Sequence, residues 1–526
     1  MKNKLTHLSR FAAGWFSLCA IALSGEPVEF ASKPESVPRL QPVQISFGEI
    51  PPAPQGDEQT SEFPDFSEPE LIDPFAERVE FDPRVREPDP GFHWHLSEVL
   101  FDALSAPADP LADFFSRLIG AEHYEIHSPL HDHAIGLQSI PERPPLAIEW
   151  GEKFIAPGRL EQGIETGTGA VWRPALWVWG EMRTCYNYID VRNAPTVDEV
   201  ASRLDLFAQL NLTGTERILL GVRPLDEERG ATRRFTSYDF QNDRRIGGEN
   251  FDVQTLFFEG DFGEIFPNLD PYDTKGLDYG FSIGRQPMLF QQGLLINEDM
   301  IDAATLTRNT LYGGGNLNLR MTGVYGWNRI HRNNNVPDDN AQLVGLFTES
   351  DYRWATVNVD VAFVSSGSGT LRDSLAFGLS AIRRIQGHHN IYNSSAHILG
   401  SIATEGETAA SGDGLLLFHQ LSWTPHRSDD LIYLNAFWSI DQFTSPARGT
   451  LMGGPLGQVG ILYSAAGLGR YGAALSNEAS SAAGASLGYQ FFFDETRQQM
   501  IWEVGGRSDT NGIDRAAIAT ALQYQR

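Results

Sequence analysis

The chain has 526 residues and a formal net charge of −28, from 68 acidic and 40 basic side chains. That balance argues against broad contact with nucleic acid or an anionic lipid surface. Two cysteines, Cys19 and Cys185, are too few for a disulfide framework or a cysteine ligand cluster.

The first 25 residues read as an export signal. Lys2, Lys4 and Arg10 make a basic start, Phe11 to Leu23 an apolar stretch, and Ser24-Gly25 a small-residue exit. Cys19 follows Leu18, which is a poor lipoprotein context. The apolar stretch is short of the ~20 residues that a spanning helix needs, and no later segment reaches that length.

Residues 26–150 carry 25 acids against 7 bases, and 19 of the 30 prolines fall within residues 26–145. Such a segment buries too little apolar surface to offset its ordering entropy. It reads as a largely disordered, acidic, Pro-rich periplasmic tail or linker. Two short helices are expected in it, on Leu96, Val99, Leu100 and Leu104, and on Leu111, Phe114, Phe115 and Leu118. His93, His95, His123, His127, His131 and His133 could align as metal ligands, but Pro129 interrupts the helix this would need. No metal and no cofactor is assigned.

From about residue 170 the texture changes to short runs of alternating apolar and polar residues. Leu204, Leu206, Ala208, Leu210 and Leu212 share one parity, Thr213-Gly214-Thr215 turns the chain, and Ile218, Leu220 and Val222 resume it. The same alternation recurs at Leu317, Leu319, Met321, Tyr325 and Trp327, then at Val357, Val359, Val361 and Phe363, and at Leu375, Phe377 and Leu379. It returns at Leu487, Tyr489, Phe491 and Phe493, at Met500, Trp502 and Val504, and at Ile518, Leu522 and Tyr524.

Two architectures carry alternation of this extent: a soluble sandwich with the oily face inward, or an outer-membrane barrel with it outward. Strands of ~9–12 residues, aromatic strand ends such as Trp327, Trp354 and Trp423, and tight turns alternating with long polar loops favour the barrel. The fold expected is all-β, an antiparallel transmembrane barrel over residues 151–526 with about 14–18 strands. Its partners would be outer-membrane lipid and small hydrophilic solutes. The competing reading is a secreted or periplasmic soluble β-protein that binds carbohydrate.

The stretch Gly284-Arg285-Gln286-Pro287 to Gln291-Gln292-Gly293, running on to Ile301-Asp302-Ala303 and Leu306-Thr307-Arg308, resembles the alginate-export family of Gram-negative outer-membrane porins. The resemblance covers about residues 170–345 and implies an exported barrel, inserted by the barrel-assembly machinery, whose arginine-lined lumen passes anionic saccharides. The acidic tail and the ending Tyr524-Gln525-Arg526 depart from that pattern.

Parity assigns inward residues strand by strand. The candidate pore-lining and solute-binding set is Arg183, Arg217, Arg223, Arg320, Arg384 and Arg507 with Glu181, Asp360 and Glu503. Arginine outnumbers lysine 35 to 5, and its planar fork suits carboxylate or phosphate solutes. Mutual pairing of inward charges explains the same residues without a solute. Arg285 breaks the pattern, because Tyr279, Phe281 and Ile283 put it on the lipid-facing parity; an interface or a bulge is expected there. Residues 441–483 are too long for a simple turn and are expected to fold over or into the pore. Gly467 to Gly472 carries the letters of a dinucleotide fingerprint without its strand–helix–strand context. No nucleophile elbow, zinc-protease helix or phosphate loop is present, so no enzyme is expected, although His388, His389, His397 and His419 with nearby serine and aspartate residues could assemble a triad in space.

Overall fold

The computed structural model describes residues 146–526 except 156–161, 191–194, 227–233, 273, 369, 387–389, 405, 426–427, 466, 494–497, 513–514 and 526. The export signal, the acidic tail through residue 145 with its expected helices, the histidines at 93–133, and His388 and His389 lie outside the described residues; residues 146–150 of the expected tail are described and supply a short strand, Ile148–Trp150.

Sixteen strands form the wall. They are β1 (Ala175–Ile189), β2 (Val197–Asn211), β3 (Arg217–Val222), β4 (Val253–Asp261), β5 (Tyr279–Phe290), β6 (Ile296–Leu311), β7 (Asn318–Asn328) and β8 (Gln342–Asp351). Then come β9 (Thr356–Ser365), β10 (Ser374–Gln386), β11 (Ile391–Ala403), β12 (Gly414–Trp423), β13 (Leu431–Asp441), β14 (Ala482–Phe493), β15 (Gln498–Asp509) and β16 (Ala516–Gln525). Each pairs antiparallel with the next. These fifteen pairings run in chain order from β1 to β16, and the short strand Ile148–Trp150 also pairs with the start of β1. The fold is therefore all-β and antiparallel, with a strand number inside the expected range. No helix among the described residues is long and apolar enough to cross a membrane, which says nothing of a barrel.

The hydropathy period sets which way each strand faces. In β9, Val359, Val361 and Phe363 are exposed, whereas Asp360, Ala362 and Val364 between them are buried. In β8, Val344 and Leu346 are exposed and Leu343 and Phe347 are buried. Phe377 and Leu379, Leu487, Trp502 and Val504, and Ile518 and Leu522 continue the exposed row around the wall. An apolar band of this extent is stable only against an apolar solvent, so the oily face points outward to lipid.

Consecutive antiparallel strands place alternate connections at opposite ends. Short ones, such as 212–216 and 352–355, share the turn side with the start of β1 and the end of β16. Three long ones, 223–252, 329–341 and 442–481, lie on the loop side, whereas another long one, 262–278, lies on the turn side.

Arg285 sits on the outward parity and is not alone there. Its Nε and Nη2 donate to the two Asp302 oxygens at 2.7 and 3.1 Å, Nη1 donates to the Val253 carbonyl at 2.6 Å, and Asn328 Nδ2 donates to Asp302. Register shifts follow Gln286 and Asp302. Gly284 lies at φ +128°, where a side chain would run into the Leu256 carbonyl, so only glycine admits this kink. The expected bulge is present, and a forked ion pair neutralises the charge. Removing one partner leaves the other uncompensated: Arg285→Ala should lower the stability of the reconstituted barrel by about 2–4 kcal/mol. Arg285→Leu with Asp302→Leu should cost less than either single change, which urea unfolding in lipid vesicles measures.

Candidate functional site: the barrel lumen

One half of the lumen is filled. Leu294, Leu295 and Ile296 from the β5–β6 turn meet Phe443, Leu456, Leu462, Tyr463 and Leu475 from residues 442–481. Both segments pack on the inward faces of the wall through Leu343, Phe347, Ala362, Leu399, Leu416 and Phe437. The expectation that residues 441–483 fold into the pore agrees with this placement.

Polar contacts fix the lumen segment at several points of the wall. Glu503 Oε2 on β15 accepts from the Tyr433 hydroxyl at 2.9 Å and from the backbone N–H groups of Ile461 and Leu462. Gly460, at φ +56°, lies against that carboxylate, where a side chain would overlap it. The Tyr463 phenol, pushed up to about 12 chiefly by burial, keeps its proton and donates to the Gly506 carbonyl at 2.7 Å. Arg507 Nη1 donates to the Ser476 and Glu478 carbonyls. Across the lumen, Arg470 holds Glu199 through Nε and Asp239 through Nη2, both at 2.8 Å. Arg203 Nη1 donates to the Gly467 carbonyl, and the Cys185 thiol to that of Leu468. The glycine-rich letters of 467–472 thus belong to a loop tip that docks on β1 and β2.

The Cys185 contact yields a direct check. In Leu468→Cys, mild oxidation should form a disulfide to Cys185 in most molecules, read as a mobility difference reversed by reductant. In Cys185→Ser with Leu468→Cys no intramolecular bond should form.

The β5–β6 turn makes the second polar anchor. Gln291 and Gln292 both adopt φ of 53°. Gln291 Nε2 donates to Asp360 at 2.8 Å, and its Oε1 meets His397 Nδ1 at 2.8 Å. Gln292 Oε1 meets His397 Nε2 at 3.1 Å and accepts from Ser395 at 3.2 Å. His419 Nε2 lies 3.0 Å from Ser394 Oγ, but both are buried, and His419 Nδ1 has no hydrogen-bond partner among the described residues. A serine–histidine pair without an orienting carboxylate or an open approach lacks the geometry for nucleophilic catalysis.

The other half, along β1 to β4 and the turn-side ends of β7 to β10, is open. All nine residues of the candidate set lie on the inward face, in two environments. Asp360 and Glu503 are covered by the two lumen segments and do not reach open space. Glu181, Arg183, Arg217 and Arg320 have side chains 50–54% exposed. Arg183 pairs with Glu181 at 2.5 Å, Arg217 with Glu259, and Arg320 with Glu349 at 2.6 Å. Arg203 and Arg223 share Asp205 at 2.9 and 2.6 Å, with Asp299 4.0 Å from Arg223. Arg384 is exposed on the inward parity of β10 and forms no ion pair among the described residues. Arg507 is held by the lumen segment. Arg203, Glu259, Glu349 and Glu199 are further lumen residues of the inward parity; Glu259 and Glu349 meet arginines of a neighbouring strand, Glu199 meets Arg470 of the lumen segment, and Arg203 pairs with Asp205 on its own strand.

At the loop-side end of β6, Glu298, Asp299 and His331 bring three potential ligand atoms within 4.8 Å of one another. Both Glu298 oxygens are already used, by the backbone N–H groups of Asp299, Met300 and His331 and by the His331 ring. Burial opposes the imidazolium, yet the Glu298 carboxylate holds His331 above its ordinary value. The group reads as a buried ion pair.

No family model matches the chain, and no curated protein matches it. Among solved structures it is similar to OccK5 (OpdH) of Pseudomonas aeruginosa, at 10% identity and TM-score 0.42, over 67% of this chain and 86% of that one. A BenF-like porin from Pseudomonas fluorescens Pf-5 gives 9% identity and TM-score 0.44 over 66% and 86%. OccAB3 of Acinetobacter baumannii gives 10% and 0.43 over the same shares. Likenesses at this level carry no argument about activity, and none of the three is named as an alginate exporter. The functional reading therefore stands on the wall and the lumen themselves.

Proposed function

We propose that the protein is an outer-membrane channel that passes small hydrophilic solutes along the open wall of β1 to β4, with anionic solutes favoured. The observation that carries this reading is the segregation of the two faces, with an apolar band outside and a solvated row of charged side chains inside. A soluble carbohydrate-binding sandwich would bury its oily face instead. Anion preference is supported by Arg384, which is exposed on the inward parity and has no carboxylate partner among the described residues. The finer assignment to anionic saccharides, and to the alginate-export family, rests on the motif between Gly284 and Arg308. The export signal, the periplasmic tail and insertion by the assembly machinery belong to the same proposal.

The test is the reversal potential of single channels in a planar bilayer under a salt gradient. The wild type should be anion-selective, and Arg183→Glu with Arg384→Glu should shift it to cation selectivity. Cation-selective wild-type channels would overturn the anionic reading. A folded, inserted protein without conductance would overturn the channel.

A further inference from the structure

We propose that the open wall holds a stacking site for an uncharged pyranose ring on Trp179 and Phe207, just to the turn side of the docked loop tip. The inference rests on the channel reading and names a solute class for it. Along β1, Trp177, Trp179, Glu181, Arg183 and Cys185 share one parity, and the contact of the Cys185 thiol with the Leu468 carbonyl fixes that parity as inward. Register sets Trp179 opposite Phe207 and Trp177 opposite Gln209 on β2. The Trp179 and Phe207 rings stack with centroids 5.6 Å apart and planes 25° from parallel. Phe207 leans over Gly221 of β3, where a Cβ would come within 3.0 Å of its ring. Glycine at that position makes room for the ring.

The pair has a roof and a floor. Toward the loop side, the 467–470 tip reaches the wall at Cys185 and Arg203. Toward the turn side, residues 152–154 meet Trp177, the next inward residue of β1. Trp177 Nε1 donates to the Glu152 carbonyl at 2.7 Å, and Phe154 packs edge-to-face with the Trp177 ring at 5.2 Å. Trp177 and Cys185 are eight residues apart on one strand, about 26 Å when extended. Within that interval Trp179 and Phe207 are only partly buried, so an aromatic surface is left open inside the lumen.

What fits there is a flat body with an apolar face and a polar rim. The C–H groups on one face of a pyranose carry slight positive charge and meet the negative face of an aromatic ring. Its rim hydroxyls each donate and accept, and the groups bordering the rings offer both senses. The Glu181 carboxylate accepts, the Arg183 guanidinium donates, and the Gln209 amide does both. Glu181 and Arg183 pair with each other at 2.5 Å and are just over half exposed, so they supply hydrogen bonds without a net charge. The anion preference argued above rests on Arg384 of β10, in a different part of the lumen.

The test is transient block of single-channel current through the full chain by maltotriose, with benzoate as the comparison solute. Maltotriose should interrupt the wild-type current in proportion to its concentration. Trp179→Leu with Phe207→Leu keeps the apolar bulk but removes both ring faces, and should weaken the block roughly tenfold. Trp179→Phe should keep most of it, and heat-modifiable mobility on gels shows that each variant is folded. Conducting wild-type channels that maltotriose does not interrupt, or that benzoate alone interrupts, would overturn the site and leave the channel standing. Equal block in the double leucine variant would overturn it too. Wild-type protein that inserts without conducting fails the channel reading instead. Saturation-transfer NMR of maltotriose with the detergent-solubilised protein then decides the site: a signal lost in the double variant supports it, and no wild-type signal overturns it.

Discussion

Replacing residues 450–478 by a short glycine–serine turn should raise single-channel conductance several-fold. This segment brings Leu456, Leu462, Tyr463 and Leu475 into the lumen and lays its 467–470 tip against β1 and β2. Conductance follows the open cross-section, and the segment occupies a large part of it. The wall should survive, because its fifteen strand pairings make no use of these residues. Planar-bilayer recording of the deletion beside the wild type checks the result. Equal conductance would mean that solutes pass by a route the segment does not narrow.

Glu503→Ala should release the 460–463 stretch of the same segment without unfolding the barrel. The wild-type carboxylate accepts from Tyr433 and from two backbone N–H groups in a fully buried position. Losing it leaves three donors without partners, at about 1–3 kcal/mol each, unless the segment swings out to water. Release is the cheaper outcome, so the variant should show larger, noisier conductance while keeping its heat-modifiable mobility on gels. Glu503→Gln retains one acceptor oxygen in the same place and should stay close to the wild type. If Glu503→Ala conducts as the wild type does, Glu503 is not what holds the segment.

The wall was legible because a period of two survives any uncertainty about register. Leu204 to Leu212, Val357 to Phe363 and Leu375 to Leu379 each declare an oily face, and each shows that face outward. The long loops 223–252, 329–341 and 442–481 lie opposite the tight turns 212–216 and 352–355, but 262–278 is long and shares the turn side. Which inward residues would be covered was not legible. Asp360 and Glu503 share parity with open neighbours, and only the burial of distant segments separates them from Arg183 or Arg320. Asp360 is met by a glutamine 69 residues away, and Glu503 by a loop 41–42 residues upstream of it.

Charge pairing was hidden for the same reason. Arg217 meets Glu259 from 42 residues away, and Arg320 meets Glu349 from 29. Strand register creates these pairs, and register is not written in composition. Arg285 is the instructive exception. Asp302 also breaks an oily parity, on the strand that follows, and two opposite charges misplaced on successive strands of a barrel are a pairing signal available before any coordinates.

The outward oily face is the claim on which the rest depends, and nitroxide scanning tests it most directly. Spin labels would be placed one at a time at positions 357–364 in a Cys19→Ser, Cys185→Ser background reconstituted in lipid vesicles. Positions 357, 359, 361 and 363 should collide with dissolved oxygen and be shielded from an aqueous nickel chelate, and the even positions should show neither response strongly. Chelate access at the odd positions, or no period-two contrast, would contradict a barrel that faces lipid.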